Sequence, residues 1–336
     1  MNDPSVPFCV LGAGSWGTAL AMQAARSGRP VRLWGRSAEQ LQAMAADHAN
    51  RQYLPGFRFP DSLTPEPELA HAVAGAPLVM IAVPSHAFAA TLKLATPHLA
   101  AGARICWSSK GFEPETGRLL HLVAQDLLPD HDSGAILTGP SFAREVAADL
   151  PTAVTVASPD AGLAEAIVRV FHHGSFRAYR TDDIVGAELG GAMKNVMAIG
   201  TGIADGIALG TNARAAMITR GLAEMMRLSD ALGGRRETLT GLSGMGDLVL
   251  TCTGDLSRNR RYGLARGEGR SHEEALREIQ QVVEGVGTAQ ALLKLAAAAD
   301  VELPISEQIY RIVTGEITPR DGVRNLMSRE PRVETD

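Results

Sequence analysis

Aromatic residues and cysteines are scarce in this chain of 336 residues, and long apolar runs are absent. Aromatic residues make up 4% of the sequence, and the three cysteines, Cys9, Cys106 and Cys252, lie far apart without metal-ligand spacing. An odd number of scattered cysteines argues against a disulfide framework and indicates reduced thiols, so we expect a cytoplasmic protein. Because no apolar run reaches the roughly 18 residues of a membrane span, we expect no membrane insertion.

An excess of positive charge and the patterns of metal ligands are also lacking. The 32 lysine and arginine residues are outnumbered by 37 aspartate and glutamate residues, and the net charge of −5 argues against a nucleic-acid partner. The nine histidines form no HExxH motif and no cluster with ligand spacing, so the sequence predicts no catalytic metal. Glycine, by contrast, is abundant at 35 residues.

The order of sequence patterns predicts two domains. Short apolar runs such as "PFCVLGAG", "LVMIAVPS" and "AILTGPS" alternate with amphipathic stretches through residue 181. This alternation is typical of an α/β fold with a mostly parallel sheet covered by helices on both faces. Beyond residue 181 only helical periodicity recurs, over 184–204, 212–232, 271–281, 287–299 and 304–314. We therefore expect an α/β domain over 1–181 and an all-helical C-terminal domain over 182–336.

Capping residues stand at the ends of several predicted helices. Asn212 stands at the start of a periodic stretch and is its predicted N-cap, and Gly233-Gly234 is predicted to end the same helix. Ser271 and Glu274 have the spacing of a capping box. These signals support the helical interpretation of the second half.

The string "VLGAGSWGTALA" places three glycines directly after a strand and at the start of a helix. In this context Gly12 permits a tight turn, Gly14 lets a pyrophosphate approach the backbone, and Gly17 lets helix and strand pack closely. The N–H groups of the helix N-terminus then bind the phosphates. We therefore interpret 1–181 as a Rossmann-type, dinucleotide-binding domain. A glycine-rich turn without a ligand is the alternative.

The residue after the second strand indicates which dinucleotide binds. An acidic residue about 20 positions beyond the glycines would accept the ribose 2′-hydroxyl of NAD. The string "LWGRSAEQ" holds Arg36 there instead, and a guanidinium binds a 2′-phosphate in a bidentate manner. The sequence therefore favours NADP over NAD, with a solvated surface arginine as the alternative.

Two further strand ends carry polar groups that suit a ligand site. Lys110 follows the strand of "CWSSKGF", and Gly139 and Ser141 follow the strand of "TGPSF". Open parallel sheets bind their ligands at this carboxyl edge. For Lys110, a solvated lysine at the end of a strand is the alternative.

Lys194 stands alone in the apolar helix of "GAELGGAMKNVMAIG". The residues that share its helical face are all small, and the bulky residues fall largely on other faces. Such a trough admits another helix or a ligand, and a buried lysine is suited to proton transfer near neutral pH. A lysine that extends its ammonium to solvent is the alternative. The residues of the small face are Ala187, Gly190, Gly191, Ala198 and Thr201.

The string "GDLVLTCTGDLSRNRRYG" predicts an anion site. Asp255 or Ser257 is the predicted N-cap of a helix that begins with Arg258 and Asn259. Cations in a first helical turn oppose the helix dipole, and an external phosphate would resolve that conflict. Asp247, in the glycine-rich turn before this segment, either accepts a substrate hydroxyl or stabilises the turn.

Together these motifs closely resemble one family, the bacterial-type NAD(P)-dependent sn-glycerol-3-phosphate dehydrogenases. The resemblance implies a reversible hydride transfer between NADPH or NADH and dihydroxyacetone phosphate, which gives sn-glycerol 3-phosphate for phospholipid synthesis. It implies a small phosphorylated substrate as the partner and leaves a homodimer open. The motifs that carry it extend over nearly the whole chain: "GAGSWGTALA", "SSKG", "LTGPSFAREV", "GAMKNVMAIGTGIADG", "NARAAMITRGLAEM", "GLSGMGDLVLTCTG", "SRNRRYG" and "VVEG".

The resemblance also implies a role for each candidate residue. Lys194 matches the family's proton donor and acceptor, and Lys110 matches a catalytic-site lysine that contacts substrate and cofactor. The positions that match substrate contacts are Lys110, Gly139, Ser141, Lys194, Asp247, Ser257, Arg258 and Asn259. Besides the three glycines of the turn, the positions that match cofactor contacts are Ser15, Trp16, Arg36, Lys110, Ala143, Arg258, Val282 and Glu284.

Two other functions fit part of the sequence. A dehydrogenase for a different phosphorylated or hydroxy-acid substrate would share the first domain. A non-catalytic NADP-binding sensor would keep the glycine turn but would not need Lys110 and Lys194. The arginine-rich anion site favours an enzyme that acts on a small phosphate monoester.

Overall fold

The computed structural model describes residues 5–129, 134–279, 282–331 and 333. The chain folds into two compact units, one formed by Met1–Lys110 and Leu120–Ile184, the other by Gly111–Leu119 and Val185–Asp336. The first unit therefore ends close to the predicted boundary at 181. The short segment Gly111–Leu119 belongs to the second unit. No sequence pattern predicts this assignment.

The first unit contains one eight-stranded sheet with the strand order β3-β2-β1-β4-β5-β6-β7-β8. All neighbouring strands are parallel except β6 and β7. The predicted mostly parallel sheet is therefore confirmed, although the three-residue β3 is too short and too polar to have been predicted. The strands are β1 (Phe8–Leu11), β2 (Val31–Trp34), β3 (Leu63–Pro65), β4 (Leu78–Ile81), β5 (Arg104–Trp107), β6 (Ala135–Thr138), β7 (Thr152–Ala157) and β8 (Phe176–Thr181).

Helices cover the central strands of this sheet. All four residues of β1 and all four of β4 are buried, as expected for strands that are covered on both faces. Ser37 and Asp160 cap helices α2 and α7 with their side-chain oxygens. The helices of the first unit are α1 (Ser15–Ala25), α2 (Ala38–Asp47), α3 (Leu69–Val73), α4 (Ser85–Ala95), α5 (Leu120–Leu127), α6 (Ala143–Ala147) and α7 (Ala161–Phe171).

Among its described residues the second unit contains helices and connecting turns but no strand, in agreement with the predicted helical domain. One turn of π-helix, Leu242–Gly246, precedes α11. None of the helices that the structure describes combines the length and apolar character needed to cross a membrane. The helices are α8 (Ile184–Gly206), α9 (Thr211–Ala231), α10 (Arg236–Thr240), α11 (Asp247–Thr253), α12 (Arg258–Gly267), α13 (His272–Ile279), α14 (Glu284–Ala298), α15 (Pro304–Val313) and α16 (Pro319–Met327).

Most predicted helix ends agree with the structure, and one does not. Ser271 and Glu274 form the predicted capping box before α13, whereas residues 280 and 281 of that predicted helix lie outside the described ranges. Helix α9 ends at Ala231 with Leu232 as its C-cap, and Gly233 follows with a φ of +82°. The prediction of Asn212 as N-cap is wrong: α9 begins one residue earlier, and Gly210 is the N-cap.

Helices α8 and α12 approach each other at the level of their backbones. A Cβ atom on Gly202 of α8 would lie 2.1 Å from the carbonyl oxygen of Arg260, and one on Gly263 of α12 would lie 2.0 Å from that of Ile199. Each helix therefore has a glycine at the position where a carbonyl group of the other helix approaches. Because α8 carries Lys194 and α12 begins with Arg258, this crossing fixes the two helices that bear the main predicted site residues of the second unit.

We expect Gly263→Ala to destabilise the second unit. The added methyl group would overlap a backbone oxygen that cannot rotate away, and overpacking of this kind costs about 1–3 kcal/mol. Gly287→Ala is the matched control, because Gly287 is an exposed glycine in α14 with nothing within 4 Å of its Cβ position. That variant should gain about 0.5–1 kcal/mol. Urea unfolding gives the free energy of unfolding of both variants. Equal changes in the two would contradict a close backbone contact between α8 and α12.

Candidate active site

The glycine-rich turn between β1 and α1 is shaped by two close backbone approaches. Gly12 has a φ of +132°, and a Cβ atom on it would lie 2.4 Å from the carbonyl oxygen of Ala82. A Cβ atom on Gly17 would lie 1.9 Å from the carbonyl oxygen of Gly12. At Gly14 nothing lies within 4 Å of the Cβ position. Two glycines therefore serve packing, and the third leaves the helix N-terminus open.

This turn fits a dinucleotide by its donor groups. Gly14 is the N-cap of α1 and has no side chain with which to cap it, so the N–H groups of the first turn remain available to an anion. The indole N–H of Trp16 is buried and has no hydrogen-bond partner among the described residues. The residues of the turn therefore offer hydrogen-bond donors to a bound phosphate.

Arg36 lies directly beside the same turn. A Cβ atom on Gly35 would lie 2.8 Å from the Cβ of Ala13, so the connection after β2 touches the glycine turn. The guanidinium of Arg36 is exposed and makes no ion pair or hydrogen bond within the part of the chain that the structure describes. Its charge is available to a ligand at this position.

Three predicted residues meet at the carboxyl edge of the sheet. The ammonium of Lys110 donates to the carbonyl oxygen of Gly139 at 3.2 Å, and the hydroxyl of Ser141 donates to the same oxygen at 2.9 Å. Gly139 has a φ of +133°, which lets the chain turn away sharply after β6. Ala143, a predicted cofactor contact, begins α6 immediately after this turn.

In the second unit, Lys194 of α8 forms an ion pair with Asp247, the first residue of α11. Lys194 is 7% exposed and Asp247 is fully buried. The hydroxyl of Thr251, one turn along α11, donates to the Asp247 backbone carbonyl at 2.6 Å and lies 3.4 Å from its carboxylate. Burial raises the pKa of the neighbouring Cys252 thiol to about 12, so this thiol stays protonated at neutral pH.

The small residues beside Lys194 admit parts of the chain itself. A Cβ atom on Gly190 would lie 2.2 Å from the carbonyl oxygen of Ser243, in the π-helical turn. The hydroxyl of Thr201 donates to the Cys252 carbonyl at 3.4 Å. The sequence allows either another helix or a ligand beside Lys194. At Gly190 and Thr201 the neighbour is helical: the π-helical turn and α11 pack there, and they bring Asp247 to Lys194.

The start of α12 joins several predicted residues in one hydrogen-bond network. Ser257 caps the helix by accepting the Arg260 N–H at 3.2 Å, as one of the two predicted caps. The buried Asn259 donates to the side-chain oxygen of Asn195 at 3.0 Å and accepts the Gly285 N–H at 2.9 Å. Asn195 in turn donates to Glu284 at 3.4 Å. Val282, just before α14, is 47% exposed.

Arg260 corrects one step of the sequence argument. The cations at the start of α12 were expected to require an external anion. Arg260 instead pairs with Asp205 at 2.8 Å and with Asp255 at 2.7 Å. Because Asp205 is far away in sequence at the end of α8, no local pattern reveals this neutralisation. Arg258 and Arg261 also belong to the first turn of α12.

Comparisons with known proteins decide the family. The model of the NAD-dependent glycerol-3-phosphate dehydrogenase N-terminus matches residues 7–164, and that of the C-terminus matches residues 183–324. The glycerol-3-phosphate dehydrogenase (NAD(P)+) of Xanthomonas campestris pv. campestris is 54% identical over 334 residues, 99% of this chain and 98% of the relative. This chain belongs to the NAD-dependent glycerol-3-phosphate dehydrogenase family.

Solved structures of the same family share the whole fold. The glycerol-3-phosphate dehydrogenase of Coxiella burnetii has a TM-score of 0.94 at 44% identity, covering 97% of this chain and 100% of that one. The yeast glycerol-3-phosphate dehydrogenase has a TM-score of 0.82 at 26% identity, covering 96% and 99%. The Rossmann-type sheet followed by a helical domain is therefore the architecture of the family.

Several residues of these networks were not predicted from the sequence. Asn195 accepts a hydrogen bond from Asn259, Thr251 donates one to Asp247, and Asp205 pairs with Arg260. Asparagine, threonine and aspartate within helices form no motif of their own. Only the position of Asn195 beside Lys194, and the i, i+4 spacing of Thr251 from Asp247, carry a signal.

We expect Lys194 and Asp247 to be strongly coupled in stability. Lys194→Met or Asp247→Asn alone leaves the other charge buried without its partner, which costs about 3–5 kcal/mol. The double variant should lose less than the sum of the single losses by about 0.5–3 kcal/mol in urea unfolding. As a control, Lys294→Met on the exposed face of α14 should add to Asp247→Asn without coupling. Additive losses for Lys194 and Asp247 would contradict a buried pair.

Proposed function

We propose that this chain catalyses the reversible reduction of dihydroxyacetone phosphate to sn-glycerol 3-phosphate with NADPH or NADH. Membership of the family supports the reaction, and the relatives named above carry this activity in their names. The observation in this chain that carries the proposal is the buried ion pair of Lys194 and Asp247. A charged pair buried in a glycine-rich helical region is costly for stability alone and is suited to proton transfer.

In this mechanism Lys194 is the proton donor for reduction and the proton acceptor for oxidation. The nicotinamide of the bound cofactor supplies the hydride. The Lys194 ammonium protonates the oxygen that gains negative charge at C2 of the ketone, and the Asp247 carboxylate holds that ammonium in place. Lys110, whose ammonium is anchored on the Gly139 carbonyl, stabilises the same developing charge.

The substrate phosphate is assigned to the start of α12. Arg258 supplies the charge, and the N–H groups of the first turn add to it. The Ser257 hydroxyl uses its oxygen as a helix cap, which leaves its proton for donation to the phosphate. Asn259 is held by Asn195 and Gly285, so we assign it a contact through its remaining N–H. Gly139, Ser141 and Asp247 complete the proposed substrate set.

The cofactor is assigned to the glycine turn of the first unit. The backbone N–H groups that follow Gly14, beginning with that of Ser15, together with the indole N–H of Trp16, would hold its phosphates. Arg36 would bind the 2′-phosphate of NADP, which supports NADP as the favoured cofactor. We carry the remaining cofactor contacts over from the family resemblance: Lys110, Ala143, Arg258, Val282 and Glu284.

We further propose a cytoplasmic homodimer that supplies phospholipid synthesis. The three cysteines are buried free thiols, which supports a reducing compartment. The metabolic role rests on the family resemblance, which leaves the homodimer open. Sedimentation velocity tests the assembly: a species of twice the 35.5 kDa chain mass is expected, and a single species of the chain mass would contradict it.

The activity is tested by the oxidation of NADPH with dihydroxyacetone phosphate, followed by absorbance. Lys194→Met should lower kcat by at least about 10²-fold, the contribution of a positioned acid or base. Lys294→Met should keep the wild-type rate. Circular dichroism and a fluorescence titration with NADPH establish that the Lys194 variant is folded and binds cofactor. Wild-type turnover by a folded Lys194→Met variant would refute the assignment.

Cofactor preference is tested by Arg36→Asp. A charge-assisted contact to the 2′-phosphate is worth about 1.5–3 kcal/mol, so affinity for NADPH should fall about ten- to a hundredfold while affinity for NADH changes little. Arg177→Asp is the control, because it changes an exposed arginine on β8, at the far edge of the sheet from β2. Equal losses for NADPH and NADH would show that Arg36 does not bind the 2′-phosphate.

A further inference from the structure

The segment that follows α2 is fastened to the glycine turn by a buried asparagine. Asn50 is 1% exposed, and its amide nitrogen lies 3.0 Å from the carbonyl oxygen of Ala13 and 2.8 Å from the hydroxyl of Thr18. Gln40 of α2 donates to the same Ala13 carbonyl at 3.1 Å. The first residues after α2 are therefore tied to the turn and to the first helix.

These anchors position Tyr53 through its backbone alone. The N–H of Tyr53 donates to Asn50 at 3.0 Å, and its carbonyl oxygen accepts the hydroxyl of Ser15 at 2.6 Å. Leu54, the next residue, is buried. The ring of Tyr53 is nevertheless 37% exposed, and its hydroxyl has no partner within the described residues. A large side chain is thus held beside the helix N-terminus without being packed into the core.

The strand order assigns Tyr53 to one half of the cofactor. The segment that carries it connects α2 to β3, and β2 and β3 lie on the opposite side of β1 from β4, β5 and β6. Arg36, which follows β2, lies on the side of the ribose that bears the 2′ substituent. Lys110 and Gly139 follow β5 and β6 on the other side. Tyr53 therefore belongs to the adenosine side of the turn.

We infer that Tyr53 is a cofactor-binding residue whose ring packs against the adenosine half of NADP or NAD. This inference rests on the proposed function, because it requires a dinucleotide in the glycine turn. An anchored aromatic ring contributes affinity at little entropic cost, since its backbone is ordered before the ligand arrives. Stacking does not depend on the 2′ substituent, so Tyr53 acts on NADPH and NADH alike, in contrast to Arg36.

Direct binding to the full-length protein tests the inference. Tyr53→Ala keeps both backbone anchors and should weaken NADPH and NADH equally, by about tenfold, in calorimetric titrations. Tyr53→Phe should bind like the wild type. Reduced nicotinamide mononucleotide, which lacks the adenosine half, should bind the Ala variant and the wild type equally. Tyr179→Ala is the control, because Tyr179 is exposed on β8 at the far edge of the sheet.

The outcomes separate this inference from the proposed function. Unchanged NADPH affinity in Tyr53→Ala, or an equal loss for the mononucleotide, would overturn the assignment of Tyr53. So would a loss in Tyr53→Phe as large as in Tyr53→Ala. A wild-type protein that binds neither NADPH nor NADH would instead overturn the proposed function. Thermal melting without ligand should give the same midpoint for all four proteins, and a lowered midpoint in Tyr53→Ala would assign the ring to the core.

Discussion

The buried ion pair between Lys194 and Asp247 constrains how the helices of the second unit pack. Both side chains are buried, at 7% and 0% exposure, and either charge without its partner would be expensive to bury. The pair requires α11 to begin beside the middle of α8. The π-helical turn before α11 meets this requirement because it passes over Gly190 at a distance that no side chain would permit. The π-helical turn, a geometry that is rare in helices, therefore positions the Asp247 carboxylate.

The same helix determines how the anion-binding segment is placed. Helix α8 meets α12 through glycines on both helices, so backbone contacts set the separation of the two axes. Asp205 at the end of α8 then pairs with Arg260, and Asn195 near its middle binds Asn259. The start of α12 is therefore fixed at two points by groups on α8. A rigid support of this kind is what a site needs when its groups must keep a defined geometry.

Local patterns explain which features were predictable from the sequence. The buried strands, the glycine turn and the capping box of Ser271 and Glu274 depend on neighbouring residues, and all appear in the structure. The network around Lys194 depends on residues more than 50 positions apart, so no periodicity reveals it. Asn212 is a predicted cap by residue type, but Gly210, with a φ of +85°, turns the chain two residues earlier. Strand β3 has too few residues to show alternation.

The separate segment Gly111–Leu119 bears on how such a chain is inherited. The chain passes between units after Lys110, after Leu119 and after Ile184. A gene fragment that begins after Ile184 encodes the second unit without its segment Gly111–Leu119. Recombination at a single junction cannot transfer this half intact to another protein, as it can a contiguous module. The two halves are therefore expected to descend together, and new specificities to arise by substitution within them.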